Sequence, residues 1–494
     1  MKGFRLAATY LAATGLAATF LAAAQPDTLA RIRDEAMNHS DVQALYATIV
    51  DQFGPRLTGS PAHRQSAEWA RDRLRAFGLQ GASLEPWKFG RGWVLDRLAV
   101  EMVEPRYAPL IGYAEAWSPA TRGEITGTPV MIGGRSAAEV AAMKDRLHGA
   151  IVMTQPEAQF LREDRPQPTV SDMPVRIGQP APVAPRPNPA DTRAIAQTLH
   201  EAGAGVVLRT SEGEHGTVFV LGRDQGDNAV PSVVLAGEHY NMIARMLQRG
   251  MPVKLRINVQ AHYVTDDPNS YNVVANLPGA DPRLKSEVVL IGAHLDSGHS
   301  GTGASDNADG VATVMEAMRV LKSLPTPPKR TIRVALWSGE EQGLLGSKAY
   351  VAQHFAGDAN KDARDRLFAY FNIDPATGPI YGWYCETSEP AKALFDAWLA
   401  PLEARGDLGV RRNVIEGIGS TDHLSFRGAG IPGFNPIQEY KDYDVRMHHT
   451  NVDVFERVRE QDLKQNAIVM AWFAWQAANT DQVIPRPTPA ASGR

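Results

Sequence analysis

Short apolar runs alternate with helical patterns in the second half of the chain. Val288–Ile291 and Ile332–Trp337 are rich in aliphatic residues and are followed closely by glycine, which is typical of buried strands in an α/β sheet. Leu367–Ile373 predicts a further strand. Gly310–Leu324 has apolar residues at helical spacing and stops before Pro325. This alternation predicts an α/β fold, in which binding sites form beyond the carboxyl ends of the strands.

Residues 106–264, called the middle region below, have a different pattern. Short strand-like runs recur there, and residues 166–189 contain eight prolines, which indicates an extended segment rather than packed structure. We predict an inserted β-rich domain that acts as a lid or shapes a binding site. A passive spacer is the alternative that the sequence leaves open.

The first 24 residues have the pattern of a secretory signal peptide. Lys2 and Arg5 precede an uncharged stretch, 6–24, and the small residue Ala24 suits cleavage before Gln25. An uncleaved anchor is the alternative, because this stretch is nearly long enough to span a bilayer. We expect a secreted or periplasmic protein that has no membrane attachment once the signal is removed.

Composition narrows the classes of function and architecture. A length of 494 residues allows two or three domains. The net charge of −4 gives no electrostatic basis for binding nucleic acid. Cys385 is the only cysteine, so an exported form folds without an intrachain disulfide. The tail, 481–494, is rich in proline and small residues and is predicted to be disordered.

Ionisable side chains cluster where the predicted strands end. Adjacent glutamates at such a position point to different sides, so one carboxylate can bind a metal while the other serves as a general base. Two metal ions need about three protein ligands each, and one carboxylate can bridge them. The imidazole and carboxylate groups therefore indicate a zinc site. The candidates are His294, Asp296, Asp306, Glu340, Glu341, Asp374, His448 and His449.

These residues lie in motifs that resemble the co-catalytic zinc exopeptidases, a family that includes bacterial leucyl aminopeptidases and carboxypeptidase Q-like enzymes. The motifs are HLD at 294–296, GASDNADG at 303–310, SGEEQGLLGS at 338–347, NID at 372–374, STDHLSF at 420–426 and HHTNVD at 448–453, with GPRLTGS at 54–60 upstream. The resemblance implies a mixed central sheet sandwiched by helices. It assigns 25–105 and 265–480 to the peptidase domain and 106–264 to an inserted protease-associated domain.

Carried over to the matching positions, the resemblance implies two Zn²⁺ ions. His294 and Asp374 would bind one ion, Glu341 and His449 the other, and Asp306 both. The resemblance also implies a cis peptide bond on the carboxyl side of Asp306.

Further roles follow from the same resemblance. Glu340 would be the general base, and Asp296 would orient the first histidine ligand. His448 and the TDHLSF loop, with Asp422 and His423, would contact substrate. For His423, a structural role is the alternative.

The function implied is that of a zinc-dependent exopeptidase acting on short peptides or dipeptides, with a metal-bridging hydroxide as nucleophile. Aminopeptidase and carboxypeptidase or dipeptidase directions both stay open. The alternatives are an amide-cleaving or cyclising relative, such as an N-acyl amino-acid deacylase or a glutaminyl cyclase, and a binding member of the fold without catalysis. The expected partner is a peptide substrate, and by analogy with relatives the protein would form a homodimer.

Overall fold

The computed structural model describes residues 28–157, 169–170, 173–174, 188–374, 377–439 and 443–489. The predicted signal peptide lies outside the described residues, as do most of the proline-rich stretch and the last part of the predicted disordered tail.

Strands occur in both the middle region and the predicted peptidase domain. In chain order up to residue 264 they are β1 (Gln80–Lys88), β2 (Gly92–Glu104), β3 (Ala108–Pro109), β4 (Gly112–Ala114), β5 (Ile125–Gly127), β6 (Val130–Met131), β7 (Ile151–Met153), β8 (Thr169–Val170), β9 (Met173–Pro174), β10 (Val206–Thr210), β11 (Ser232–Leu235) and β12 (Lys254–Val264). They continue as β13 (Asn269–Leu277), β14 (Val288–His294), β15 (Thr331–Trp337), β16 (Leu367–Asn372), β17 (Thr377–Tyr384) and β18 (Gly433–Glu439).

The α-helices are α1 (Thr28–Asn38), α2 (Val42–Ala47), α3 (Pro61–Ala76), α4 (Ala137–Ala141), α5 (Lys144–Leu147), α6 (Pro189–Ala202), α7 (Gly237–Gln248), α8 (Asp309–Ser323), α9 (Leu345–His354), α10 (Lys361–Arg366), α11 (Glu389–Glu403), α12 (His423–Gly428) and α13 (Glu460–Asn479). Single turns of π-helix span Thr48–Phe53, Ala304–Ala308 and Tyr443–Met447, and single 3-10 turns span Gly226–Asn228, Asp358–Asn360 and Phe455–Arg457.

The central sheet has the order β1-β13-β15-β14-β16-β18-β17 among the described residues. Its middle strands β15, β14, β16 and β18 run parallel, and antiparallel strands close both edges. Val289 and Ile291 of β14 pack in a core with α8, α11 and α13, whereas Leu290 packs with α9 and α12 on the opposite face. The sheet is therefore sandwiched by helices, and the predicted α/β/α architecture is confirmed.

The middle region has its own sheets and its own core. One sheet has the order β4-β11-β10-β7-β6 and another the order β3-β2-β12-β5. Side chains of both sheets and of α7 share one apolar cluster. β2 precedes the predicted domain boundary at 105/106, yet it pairs along its length with β12, so that boundary falls between two strands of one sheet. The domain limits themselves stay a prediction.

Within the described ranges, none of the helices combines the length and the apolar composition that crossing a bilayer requires.

Candidate metal centre

Three neighbouring parallel strands deliver the candidate ligands to one edge of the central sheet. His294 is the last residue of β14, Asp374 lies just beyond β16, and the Glu340–Glu341 pair follows β15. Asp306 lies in the turn that leads into α8. Because the carboxyl ends of parallel strands meet at the same edge, side chains distant in sequence converge there.

Asp306 lies between two groups of candidate ligands. Its Oδ1 is 3.1 Å from His294 Nε2, which is also 3.4 Å from Asp374 Oδ1. Its Oδ2 is 3.4 Å from His449 Nε2, which is 2.7 Å from Glu341 Oε2. One carboxylate therefore faces both groups, which is the arrangement that the bridging role requires. The peptide bond between Asp306 and Asn307 is cis, as expected from the resemblance.

The neighbouring histidine His448 is also within reach of this centre. Its ring centroid lies 3.7 Å from that of His449, and the ligand atoms of His448, His449 and Asp306 lie within 4.8 Å of one another. His449 Nε2 lies 2.7 Å from Glu341 Oε2. The pairing with Glu341 favours His449 as the ligand, and both imidazoles line the centre.

Several nitrogen and oxygen atoms of these side chains have no hydrogen-bond partner in the protein and are suited to bind a cation. In the described part of the chain, His294 Nε2, Glu341 Oε1 and Asp374 Oδ1 are buried and form no hydrogen bond. Buried polar atoms without partners are costly, and several carboxylates in one pocket repel one another. Imidazole nitrogen and carboxylate oxygen are the donors that zinc accepts. The residues present therefore fit zinc.

The electrostatics of the pocket reflect the same crowding of charge. Burial would raise the pKa of Asp306, but the imidazoles of His294 and His449 hold it below its usual value. For Glu341, burial and the Asp306 charge raise the pKa. For Glu340, burial and the charges of neighbouring carboxylates raise the pKa well above its usual value. Glu340 is half-buried, so it combines a raised pKa with access from outside.

The Asp296 carboxylate contacts the backbone of Glu340 and Glu341 at shorter distances than it contacts the ring of His294. The Nδ1 atom of His294 is 2.9 Å from the backbone oxygen of Asp296, whereas the carboxylate lies 3.7 Å away. That carboxylate accepts hydrogen bonds from Thr58 Oγ1 at 2.9 Å and from the backbone N–H groups of Glu340 and Glu341 at 3.3 Å each. The Asp296 carboxylate still lies within ion-pair distance of the His294 ring, and its role in orienting that ring stays a prediction.

The two other predicted substrate contacts are buried. Asp422 has no exposed surface, its carboxylate forms no hydrogen bond among the described residues, and burial raises its pKa to about 7. His423 is likewise buried, with Nε2 3.2 Å from Glu386 Oε1. Glu386 also accepts a hydrogen bond from the backbone of Ile418. This burial and the contact with Glu386 favour the structural alternative for His423, and its role stays a prediction.

Three residues with evident roles in building the site were not assigned by the sequence. Asp453 accepts hydrogen bonds from Ser305 N–H and Oγ–H at 2.7 Å each and from Asp306 N–H at 3.2 Å. Tyr443 donates its hydroxyl to Asp306 Oδ2 at 2.9 Å. Arg56 is buried and donates to carbonyls of the loops on both sides of Asp296. Asp453 ends the HHTNVD motif and Arg56 lies in GPRLTGS, so both had a signal in the sequence, whereas Tyr443 had none.

Comparison with known proteins agrees with this geometry. Residues 272–474 match the model of peptidase family M28. Carboxypeptidase Q of Homo sapiens is 24% identical over 443 residues, covering 89% of this chain and 86% of that protein. An aminopeptidase of Pseudomonas aeruginosa (strain UCBPP-PA14) is 35% identical over 284 residues, covering 51% of each.

A solved structure matches over nearly the whole length. The peptidase M28 precursor from Shewanella amazonensis SB2B is 25% identical, with a TM-score of 0.68, and the match covers 93% of this chain and 98% of that one. The family match and the fold similarity agree. Residues 272–474, which include every candidate metal ligand, therefore match peptidase family M28.

Proposed function

We propose that the protein is a di-zinc exopeptidase that hydrolyses peptide bonds of short peptides or dipeptides. The observation that carries this proposal is the position of Asp306, whose two oxygens face two separate pairs of ligand side chains. The names of the relatives, carboxypeptidase Q and aminopeptidase, support an exopeptidase and leave its direction to experiment.

His294 and Asp374 would hold one ion, and Glu341 and His449 the other, with Asp306 shared. Zinc ions bound there would polarise a peptide carbonyl and make water more acidic. The chain's own part is to fix His294, Glu341 and Asp374 at or just beyond the ends of strands, while Asp306 and His449 lie in turns. Tyr443 restrains the carboxylate of Asp306 through a hydrogen bond, and Asp453 accepts a hydrogen bond from the backbone N–H group of Asp306.

Glu340 is the residue that moves the proton. A carboxylate that is within reach of the attacking water accepts its proton and then gives it to the leaving amine. Glu340 is half-buried and directly precedes the ligand Glu341, so its side chain is accessible beside the ligand. The backbone N–H group of Glu340 is fixed by Asp296, so the side chain starts from a defined position.

The substitution Glu340→Gln tests the proposal. The variant should keep two zinc ions per chain and lose about 10²- to 10⁴-fold in kcat, because it retains shape but cannot accept a proton. Glu403→Gln, an exposed glutamate at the end of α11, is the matched control and should behave like the wild type. Metal content is measured by atomic emission and turnover with dipeptides. Near-normal turnover by Glu340→Gln would remove it from the proton-transfer role.

Hydrolysis of blocked dipeptides distinguishes an aminopeptidase from a carboxypeptidase. Free, N-blocked and C-blocked dipeptides are compared with and without a chelator. An aminopeptidase fails on N-blocked peptides, and a carboxypeptidase fails on C-blocked ones. Hydrolysis that continues at the untreated rate in the presence of the chelator would contradict the zinc dependence.

We also propose export, on the basis of the N-terminal signal pattern. N-terminal sequencing of the secreted or periplasmic protein tests cleavage before Gln25.

A further inference from the structure

A series of buried side-chain hydrogen bonds leads to the backbone of the candidate ligand Asp374. Trp337 Nε1–H donates to the Tyr370 hydroxyl at 2.7 Å, and that hydroxyl donates to Asn372 Oδ1. Asn372 Nδ2–H donates to Asn435 Oδ1 at 3.0 Å, and Asn435 Nδ2–H donates to the backbone oxygen of Asp374. The side chains of Trp337, Tyr370, Asn372 and Asn435, called the buried network below, have no exposed surface. They join β15, β16 and β18.

The direction of the hydrogen bonds in this network is fixed at both ends. An indole N–H group can only donate and a backbone carbonyl can only accept, so the bonds from Trp337 to Asp374 all run one way. The amide of Asn372 therefore turns its oxygen to Tyr370, and its second N–H group donates to Thr421 Oγ1 at 2.8 Å. Each amide has one orientation that satisfies its neighbours, which makes the network a rigid connection.

A glycine of β14, the strand that lies between β15 and β16, leaves room for this network. Gly292 pairs with Ala335 of β15 and with Asn372 of β16. A Cβ atom at Gly292 would lie 3.0 Å from the Tyr370 hydroxyl oxygen and 2.6 Å from the backbone oxygen of Ala335. Because glycine has no side chain, the Tyr370 hydroxyl has the space that it needs to reach Trp337 across β14.

The end of β16 explains why the backbone of Asp374 needs a side chain as its partner. The pairing of β16 with β14 ends at Asn372, and its pairing with β18 ends one residue earlier. Asp374 therefore lies beyond both ladders. Asn435 donates to the carbonyl of Asp374, and Asn307 Nδ2–H donates to the carbonyl of Ile373 at 2.9 Å. Two amide side chains thus hold the strand end that presents the Asp374 carboxylate.

The buried network is also complete. In the described part of the chain, none of its four side chains has a buried nitrogen or oxygen atom without a hydrogen bond. A fully satisfied polar network makes its surroundings rigid, whereas a partly satisfied one is costly to bury. The Asp374 carboxylate lies 3.4 Å from His294 Nε2. Fixing the carbonyl of Asp374 limits where its carboxylate can point, so the network helps to set this distance.

We propose that the buried network positions Asp374 for its metal ion, and that Asn435, which bonds the Asp374 backbone directly, is a positioning residue of the metal centre. The inference rests on the proposed function, because it requires a zinc ion held by His294 and Asp374. Groups that hold a metal ligand in place change the affinity for the metal when they are removed, without touching the metal themselves.

Two substitutions break the network at different distances from Asp374. Asn435→Leu keeps the approximate size of the side chain and removes the donor to the Asp374 carbonyl. Tyr370→Phe removes a single hydroxyl that lies three hydrogen bonds away from Asp374, so it serves as the test if the Asn435→Leu variant does not fold. Zinc is titrated into each apoprotein in competition with a chelating dye, at a temperature well below the Tm of that apoprotein.

The network variants should bind one of the two zinc ions less tightly. Asn435→Leu should weaken one binding step by about 10- to 100-fold, the usual effect of removing a group that supports a metal ligand. Tyr370→Phe should weaken the same step by a smaller factor, because Asn435 is still present. His449→Gln should retain only the ion of His294 and Asp374, and adding Asn435→Leu to it should weaken that remaining ion.

Matched substitutions separate positioning from a general loss of stability. Asn413→Leu removes a buried asparagine that accepts from Trp383 N–H and donates to Asp396 Oδ1. Tyr350→Phe removes a buried hydroxyl that accepts from Arg333, on a ring of the same apolar cluster as Tyr370. Both should lower the Tm of the apoprotein, as the network variants do, and leave both zinc affinities at their wild-type values.

The outcomes separate this inference from the proposed function. A wild type that binds fewer than two zinc ions or hydrolyses no dipeptide contradicts the proposed function. If the wild type binds two ions, a folded Asn435→Leu variant whose zinc affinities stay within about twofold of the wild type overturns the inference alone. Unchanged affinities in Tyr370→Phe do the same when Asn435→Leu does not fold. Equal weakening by Asn413→Leu also overturns it, because the loss would then follow from stability.

Discussion

The buried arginine Arg56 gives the sharpest prediction of stability for this site. Its side chain has no exposed surface, and its guanidinium donates to the backbone oxygens of Gly54, Leu295, Thr302 and Gly303 at 2.8 Å each. Leu295 precedes Asp296, and Gly303 lies three residues before Asp306. One side chain thus ties together the two loops that carry the first ligands of the metal centre.

The expected cost of Arg56→Met follows from these bonds. Hydrogen bonds that involve a charged group contribute about 1.5–3 kcal/mol each, and buried acceptors that lose their donor add a penalty of similar size. The losses are not additive, because the loops relax together once the guanidinium is gone. We expect the free energy of unfolding to fall by about 3–5 kcal/mol, the upper end of the range for a single substitution.

Denaturant unfolding and zinc titration measure the effect. Arg75→Met is the matched control, because Arg75 is exposed and pairs with Asp72 at the surface, where such pairs contribute about 1 kcal/mol or less. Arg56→Lys keeps the charge but has a single nitrogen, so it should recover only part of the loss. Zinc affinity should fall with stability in Arg56→Met. A cost below about 1 kcal/mol in that variant would refute the role given to the four bonds.

Two other predictions concern histidines. His449→Gln should lose one of the two zinc ions while His448→Gln keeps both, as measured by atomic emission; the opposite result would exchange their roles. His63 is buried, and burial lowers its pKa to about 4, so between that value and its unfolded value near 6.5 the unfolded chain binds more protons. The stability it contributes is complete above about pH 6.5 and is lost as the pH falls toward 4, by about 3 kcal/mol. Unfolding midpoints of His63→Gln should change less over this range, and parallel curves for variant and wild type would contradict the assignment.

The ligand-bearing strands were predictable because burial on both faces leaves a continuous apolar run. β14 and β15 read as aliphatic stretches that stop at polar residues, and the polar residues at their ends are those that converge. Because parallel strands end on the same side of a sheet, the apolar pattern of β14 and β15 was enough to place His294 and Glu341 near each other. The position of Asp306 between them came from the resemblance and from its place in a turn before a helix.

The supporting contacts were not predictable, because each depends on segments far apart in sequence. Arg56 reaches carbonyls about 240 residues away, and the Tyr443 hydroxyl reaches Asp306 across 137 residues. Backbone carbonyls leave no mark in a sequence, and a single arginine or tyrosine belongs to no periodic pattern. The pairing of β2 with β12 is of the same kind, because alternation identifies each strand but not its partner.

The alternative of a passive spacer for the middle region is disfavoured by the backbone of His449. That residue has a φ of +59°, a left-handed conformation that costs a non-glycine residue roughly 1–2 kcal/mol. It persists where surrounding contacts hold it, and here the backbone oxygen of His449 accepts a hydrogen bond from Val220. A second contact joins the middle region to the loop after β14. The Nε2 atom of His299 in that loop lies 2.7 Å from the backbone oxygen of Ala114. The middle region is therefore joined by hydrogen bonds to the turn that carries His449, and its role in shaping the site stays a prediction.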